Sequence, residues 1–443
     1  MNDGLGKTSR VRSLQRGALV LLFISGSIST IDRAALAVAN PLIRHDMGLS
    51  VSEMGYLLSA FLWAYAFAQL PVGWLIDRFG PRSALGVGLA VWSAAQAMCG
   101  LVTNTTQFTL ARIGLGIGEA PQFPTAARVV RDWFPKRERG RPTGIFAAAS
   151  YFGTGIAAPL ITVLMLQFGW RSMFAILGVA GLITSLVWFL KYRDPGKSHL
   201  SDAENHYRTD GNLEESKPQV NLKQWSKLFR SRTTWGIVGG NFGVQYVTWL
   251  FNSWLPGYLQ MTRHMTLAKV GFAAAIPYVF AVAGTLCAGI VADYLAKGRL
   301  GLINGRKLAI CSFLVGQALA VISAAYANSD FSALAFVSLA MFCGTATSTT
   351  AWSSISILAP EGFTGSLGAL QNFGGYIGAA LAPIVTGIIV EQSGSFLPAL
   401  LTGAAVSGAS AVIYLVMLKG PIVLSSDEPA PSGDPIFRET TAE

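Results

Sequence analysis

Apolar residues in this chain recur in blocks of about twenty, the length a helix needs to cross a hydrocarbon core of about 30 Å. Backbone amides in lipid have no water to bond, so each block must be a helix that satisfies its own N–H and C=O groups. Twelve blocks can be drawn, at about 16–38, 54–76, 83–103, 108–130, 142–166, 171–191, 233–258, 269–292, 305–326, 331–354, 363–390 and 395–418. The pattern predicts an all-α membrane protein with twelve transmembrane helices. Composition agrees, with 13% charged residues and a mean hydropathy of +0.47, where a soluble domain carries roughly 25%.

Lysine and arginine are spread unevenly between the loops. The N-terminal tail has Lys7, Arg10, Arg12 and Arg16. The loop after the fourth block has Arg128, Arg131, Lys136, Arg137, Arg139 and Arg141, and the loop after the eighth has Lys297, Arg299, Arg306 and Lys307. Alternate loops hold only Arg44, Arg171, Arg263 and Lys269. The positive-inside rule then places both termini in the cytoplasm of what is expected to be a bacterial inner membrane. This asymmetry accounts for the net charge of +10 and leaves no reason to expect a nucleic-acid partner. The basic tail, first apolar run and Ala37-Val38-Ala39 have the outline of a signal peptide, but Asp32 and Arg33 interrupt that run, so it is read as a transmembrane helix. Cys99, Cys287, Cys311 and Cys343 all fall within blocks, while His45, His199, His206 and His264 lie outside them without ligand spacing. No metal or other cofactor is expected.

Residues 192–232 are the one long polar stretch between blocks. They divide an N-terminal six-helix half, 1–191, from a C-terminal one, 233–418. The linker segment from Lys223 to Arg230 has the pattern of a short amphipathic helix on the inner leaflet, and 419–443 is expected to be a disordered cytoplasmic tail. The halves echo each other: Gly73-Trp74-Leu75-Ile76-Asp77 ends the second block, and Gly289-Ile290-Val291-Ala292-Asp293 ends the eighth. Parallel repeats of this kind imply a pseudo-two-fold axis along the membrane normal and a binding site between them near mid-membrane. The glycine runs 114–118 and 374–378 are read as helix-packing surfaces rather than nucleotide loops.

Well inside the blocks lie four charged side chains, Asp32, Arg33, Arg112 and Glu119, all in the first third of the chain. A charge at the bilayer centre costs from about 2.5 kcal/mol upward, so such residues are read as functional by default. Arg33 is planar, permanently charged and able to grip a carboxylate with two parallel hydrogen bonds. Arg112 and Glu119, seven apart, share a helix face. Two carboxylates able to carry protons beside two guanidiniums able to hold an anion describe a proton-coupled carrier of an organic anion. The structural alternatives are a static pair of Arg33 with Asp32 or Glu119, and Arg112 as a salt-bridged strut. Tyr65, Gln245, Tyr246, Trp352 and Asn372 are the polar and aromatic residues of other blocks that would complete a cavity for a hydroxylated acid.

The segment Gly73-Trp74-Leu75-Ile76-Asp77-Arg78-Phe79-Gly80-Pro81-Arg82 resembles the G-x-L-x-D-R-x-G-x-R motif of the major facilitator superfamily, departing only in Pro81, where a basic residue is common. Asp32-Arg33, the run from Gly118 to Pro124 and the run from Trp133 to Gly140 resemble its anion:cation symporter family, the carriers of hexuronates, aldonates, hexarates and aromatic acids. The resemblance covers essentially the whole chain and implies that fold, with two pseudo-symmetric six-helix halves. It implies Arg33 as ligand of the substrate carboxylate, Glu119 as the coupling proton carrier with Asp32 second, and Arg112 as their switching counter-ion. Gly73, Asp77, Arg78, Gly80 and Arg82 would form a conformational latch against a neighbouring helix. Tyr65, Gln245 and Asn372 match cavity positions best. Ser150 stands where some sugar-acid carriers have a larger amide, a departure that weakens the case for a fully hydroxylated six-carbon substrate. The function implied is import of a small organic anion with protons, by a monomer whose other partner is the lipid bilayer. A drug–proton antiporter of the same fold would leave Arg33 without a role. A transport-inactive sensor would need a signalling domain, for which the tails are short. No nucleophile or metal constellation suggests an enzyme.

Overall fold

The computed structural model describes residues 8–209, 227–297, 301–360 and 363–422. Linker residues 210–226, with half of the expected amphipathic segment, and the tail beyond 422 lie outside the described residues; Leu228–Arg230 is a 3-10 turn with Leu228 buried. Regular structure among the described residues is helical throughout: α1 Ser9–Met47, α2 Val51–Cys99, α3 Thr105–Glu119, α4 Gln122–Trp133, α5 Gly140–Lys191, α6 Asp202–Thr209, α7 Arg232–Met261, α8 Leu267–Ala273, α9 Ile276–Lys297, α10 Gly301–Ala325, α11 Asp330–Leu358, α12 Thr364–Ser393 and α13 Leu397–Met417. Eight helices in these segments are long and apolar enough to cross a membrane.

Apolar blocks and helices do not correspond one to one, and Gly and Pro explain the differences. The second and third blocks lie on α2, which leaves helical geometry only at Gly80, with φ 78° and ψ 161°. The fifth and sixth share α5, broken at Gly169 with φ 77° and ψ 163°. Only glycine adopts such a conformation without strain. The fourth block is divided instead, because Pro121 offers no N–H to continue the helix; Glu119 thereby becomes the last residue of α3. The eighth block divides into α8 and α9 just before Pro277.

Helices α1 and α2 each pack on α5, and α2 also on α3. The same partnerships recur later in the chain, with α7 on α12 and α13, α9 on α11 and α10 on α13. Small residues permit the close approach: a Cβ added at Gly116 or Gly118 of α3 would stand 2.5 Å from the α2 backbone at Phe61 and Trp92. The two sets meet where α2 touches α12, α1 touches α7, and α5 touches α8 and α9.

The two sets close on each other at the end bearing Met47 and Ser393. There the Ser52 amide at the start of α2 donates to Glu391 of α12 at 2.7 Å, and the Ser59 hydroxyl donates to the Ala380 carbonyl at 2.5 Å. The Pro383 carbonyl comes so close to Gly55 that a Cβ there would lie 2.6 Å away. At the opposite end, Asp77–Arg128, Arg82–Phe189 and Arg306–Ser353 each bond within one set.

Candidate functional site

One face of α1 turns Ser25, Ser29 and Asp32 inward at helical spacing, and all three are fully buried. It meets the α3–α4 junction, where Gln122 donates to the Ser25 hydroxyl at 3.0 Å. Arg33 extends from the same region of α1, and its Nε donates to Glu119 Oε2 at 2.7 Å. The side chain of Glu119 has no exposed surface and that of Arg33 is 12% exposed. Three rings surround the Arg33 guanidinium: Tyr65 at 4.7 Å, Phe61 at 5.3 Å and Phe123 at 5.7 Å from its carbon. Such cation–π contacts stabilise the charge while leaving the edge of the guanidinium free for an anion. Arg33 Nη2 and Glu119 Oε1 are buried without a hydrogen-bond partner.

Arg112 lies deeper, 2% exposed, with its guanidinium carbon 5.2 Å from the Phe61 ring. Neither Asp32 oxygen makes a hydrogen bond, nor do Arg112 Nε and Nη1. The Trp92 indole, the Gln96 amide and the charges of Arg112 and Glu119 are the groups that act on Asp32. Only the Arg33–Glu119 pair is made, and the buried Asp32 and Arg112 retain unused bonding capacity. Buried polar groups are normally bonded, and groups left over mark strain or function.

Helix α12 supplies the facing wall. Tyr376 packs on Tyr65 with ring centroids 4.9 Å apart, so the second set of helices meets the first beside Arg33. Asn372, half-buried, lies one turn before Tyr376 on the same face. One turn further, Trp352 of α11 packs over Gly368, 3.1 Å from where a Cβ would be. Gln245 of α7 reaches Gly375 with its Cγ 2.9 Å from the corresponding point. Arg33, Tyr65, Tyr376, Asn372 and Trp352 thus form a row running from the charged cluster toward the α12 N-terminus. Trp352 is 51% exposed and stands at its far end. Tyr246 is 3% exposed, packs on Phe242 and has a buried hydroxyl without a hydrogen-bond partner. Ser150 has a buried hydroxyl without a partner.

Sequence reasoning missed Phe61, Phe123, Tyr376, Trp92 and Gln96. The Phe61–Tyr65 spacing of four and the lone amide of Gln96 in an apolar run were the available signals. Nothing local marks Tyr376, whose role comes from its contact across sets.

The 73–82 segment forms a clasp. Asp77 accepts from Arg128 of α4 at 2.6 Å, and Arg128 also grips Asp132 at 2.8 Å. Beyond the Gly80 break, Arg82 Nη2 donates to the Phe189 carbonyl at 2.6 Å, and the Trp188 indole donates to the Arg82 carbonyl at 2.9 Å. The Arg82 amide donates to Asp194, whose half-buried carboxyl is held above the usual carboxylate range by desolvation. Gly73 lies in open space, and Arg78 rests on Trp74 and Phe79.

Residues 22–383 match the family model described as Major Facilitator Superfamily. Over 421 residues the chain is 41% identical to the protein named Probable L-galactonate transporter of Escherichia coli (strain K12), covering 95% of this chain and 93% of that one. It is 34% identical to the D-galactonate transporter of Escherichia coli O6:H1, covering 90% and 94%. The crystal structure of a bacterial homolog of the human lysosomal transporter Spinster, inward-facing and unoccupied, superposes with a TM-score of 0.74 at 18% identity over 93% of this chain and 96% of that one.

Proposed function

Because this chain belongs to the Major Facilitator Superfamily and is a multi-pass membrane transporter rather than an enzyme, we propose that it imports an organic carboxylate of the sugar-acid type in symport with protons, by alternating access. Twelve crossings in two halves, 1–191 and 233–418, joined by a cytoplasmic linker at 192–232 and followed by a cytoplasmic tail, suit the repeated helix partnerships and the loop charges. In that orientation the tight Met47–Ser393 end faces outward, and the carrier is closed to the outside.

The observation that carries the proposal is Arg33, ringed by aromatic side chains and occupied on one edge by Glu119. Glu119 and a substrate carboxylate compete for the same cation. When Glu119 is ionised it holds Arg33, and the anion is excluded. When Glu119 takes a proton it releases Arg33, and the anion binds. Proton and anion thus enter together without any other coupling device. Asp32 and Arg112 form the second half of the relay: the bonding capacity left on Arg112 can pair with Asp32, or with Glu119 once the substrate has left. Tyr65, Gln245 and Asn372 would meet the substrate's hydroxyls, with Trp352 at the entrance. Vesicles with an inward-directed proton gradient should accumulate labelled sugar acid, and collapsing the gradient should abolish this. Accumulation unaffected by the gradient would overturn the coupling.

Two further outcomes are expected. In this reading Asp77–Arg128 is a latch on one conformation, remote from the row. Exposed pairs contribute roughly 0.2–1 kcal/mol, so Asp77→Asn should slow uptake by up to about fivefold while substrate affinity, measured by calorimetry, stays within a factor of two or so. Lost affinity in a folded variant would refute the latch role. Glu391, on α12, closes the outer end by accepting from the Ser52 amide. Glu391→Ala should shift the population toward the outward-open form by up to about tenfold, as loss of one exposed hydrogen bond of about 0.5–1.5 kcal/mol allows. Distances between spin labels on the α1–α2 and α12–α13 loops would report the shift. An unchanged distribution would leave closure to backbone packing alone.

A further inference from the structure

We infer that Asp194 is a positioning residue of the transport cycle: from the end of α5 it supplies the helix N-cap that the second segment of α2 cannot supply for itself. The chain leaves helical geometry at Gly80, with φ 78° and ψ 161°, a conformation that only glycine adopts without strain. The N-cap position therefore has no side chain. Pro81 follows at the first helical position, where its missing N–H costs nothing. The Arg82 amide is then the first donor without a partner in its own helix. In an ordinary helix a side-chain oxygen of the N-cap residue accepts from that position. Here Asp194 Oδ1 accepts from the Arg82 amide at 3.3 Å. Its Oδ2 lies 3.0 Å from where a Cβ on Gly80 would stand, so the carboxyl occupies the space of the absent side chain. The break of α5 at Gly169 has a nearly identical conformation, with open space at the same point. Of the two breaks, only the one in the 73–82 segment is filled by a side chain from elsewhere in the chain.

Asp194 is itself held in place. Its carbonyl accepts from the Ser198 hydroxyl and the Lys197 amide, each at 2.9 Å. Arg10 of α1 donates to the Ser198 and His199 carbonyls at 2.9 and 3.3 Å. The end of α5 also fixes Arg82 through its carbonyl and its guanidinium. One run of contacts thus joins the start of α1, the first turn after α5 and the restart of α2. Asp77–Arg128 holds the segment before the Gly80 break, and Asp194 holds it after the break. Lys197, Asp132 and Arg82 act on the carboxyl, and its half-burial favours the uncharged form. The cap needs an oxygen acceptor rather than a charge, and asparagine caps helices about as well as aspartate. The transport consequence rests on the alternating-access reading above; the capping does not.

Amide hydrogen exchange on the purified full chain tests the cap directly. In Asp194→Ala the peptide from Phe79 to Leu89 should exchange about fivefold faster, the effect of losing a typical cap. In Asp194→Asn it should match the unmodified chain. Asp194→Glu keeps the charge but displaces the oxygens by a methylene, so it should resemble Asp194→Ala and replaces it if the alanine variant does not unfold cooperatively. Unchanged exchange in the alanine or glutamate variant, or fast exchange in Asp194→Asn, would overturn the inference. Uptake of a labelled six-carbon aldonate into vesicles reads the consequence. Asp194→Ala should lower the maximal rate about fivefold with KM within a factor of about two, and Asp194→Asn should restore the rate. A raised KM at an unchanged maximal rate would overturn the positioning role. Absence of uptake by the unmodified chain would count against the sugar-acid reading and leave the exchange comparison to decide the cap.

Discussion

Arg33→Lys is expected to weaken substrate binding by roughly tenfold to a hundredfold although the charge is kept, the range set by about 1.5–3 kcal/mol for a hydrogen bond to a charged group. The guanidinium does two things that an ammonium cannot. Its planar fork holds Glu119 through Nε in one state and can offer a carboxylate two parallel hydrogen bonds in the other, and its flat face lies against Tyr65, Phe61 and Phe123. A lysine ammonium is a compact, strongly hydrated point charge with neither geometry. Calorimetry with a transported sugar acid on the purified variant measures the loss. If affinity is unchanged, Arg33 acts only through its charge or lies outside the binding site.

Glu119→Gln should abolish gradient-driven accumulation while preserving binding and the exchange of labelled for unlabelled substrate. Glutamine keeps the size and bonding of a protonated glutamic acid, so Arg33 is permanently released to the anion. Exchange needs no proton release and continues. Net uptake requires the empty carrier to discharge a proton and return, which the variant cannot do. A second signature follows from the competition for Arg33. In the unmodified carrier, substrate binding weakens as pH rises, because ionised Glu119 reclaims the guanidinium. In the variant this dependence should flatten. If Glu119→Gln accumulates substrate as the unmodified chain does, Glu119 is structural and Asp32 becomes the leading proton carrier.

The length and apolarity of the blocks, the unusual cost of four charges within them and the glycine-rich 73–82 motif are properties of the chain read along its length. From these the sequence by itself determined a helical, multi-pass carrier and singled out Asp32, Arg33, Arg112 and Glu119. Partner choice was not legible there. That Arg33 pairs with Glu119, 86 positions away, and not with its neighbour Asp32 depends on how α1 is rotated against α3. A shift of one residue turns a side chain by about 100° on a helix, and the same periodicity fits several rotations. The close contacts of α3 with α2 at Gly116 and Gly118, and of α5 with α1 at Gly153, select one. Pro121 then ends α3 so that Glu119 lies at the break. Tyr376 joined the candidate site only through its packing on Tyr65, across the two sets of helices. Tertiary structure decided these points because lipid-like apolar surfaces leave helix rotation undetermined, and only close packing between particular small residues fixes it.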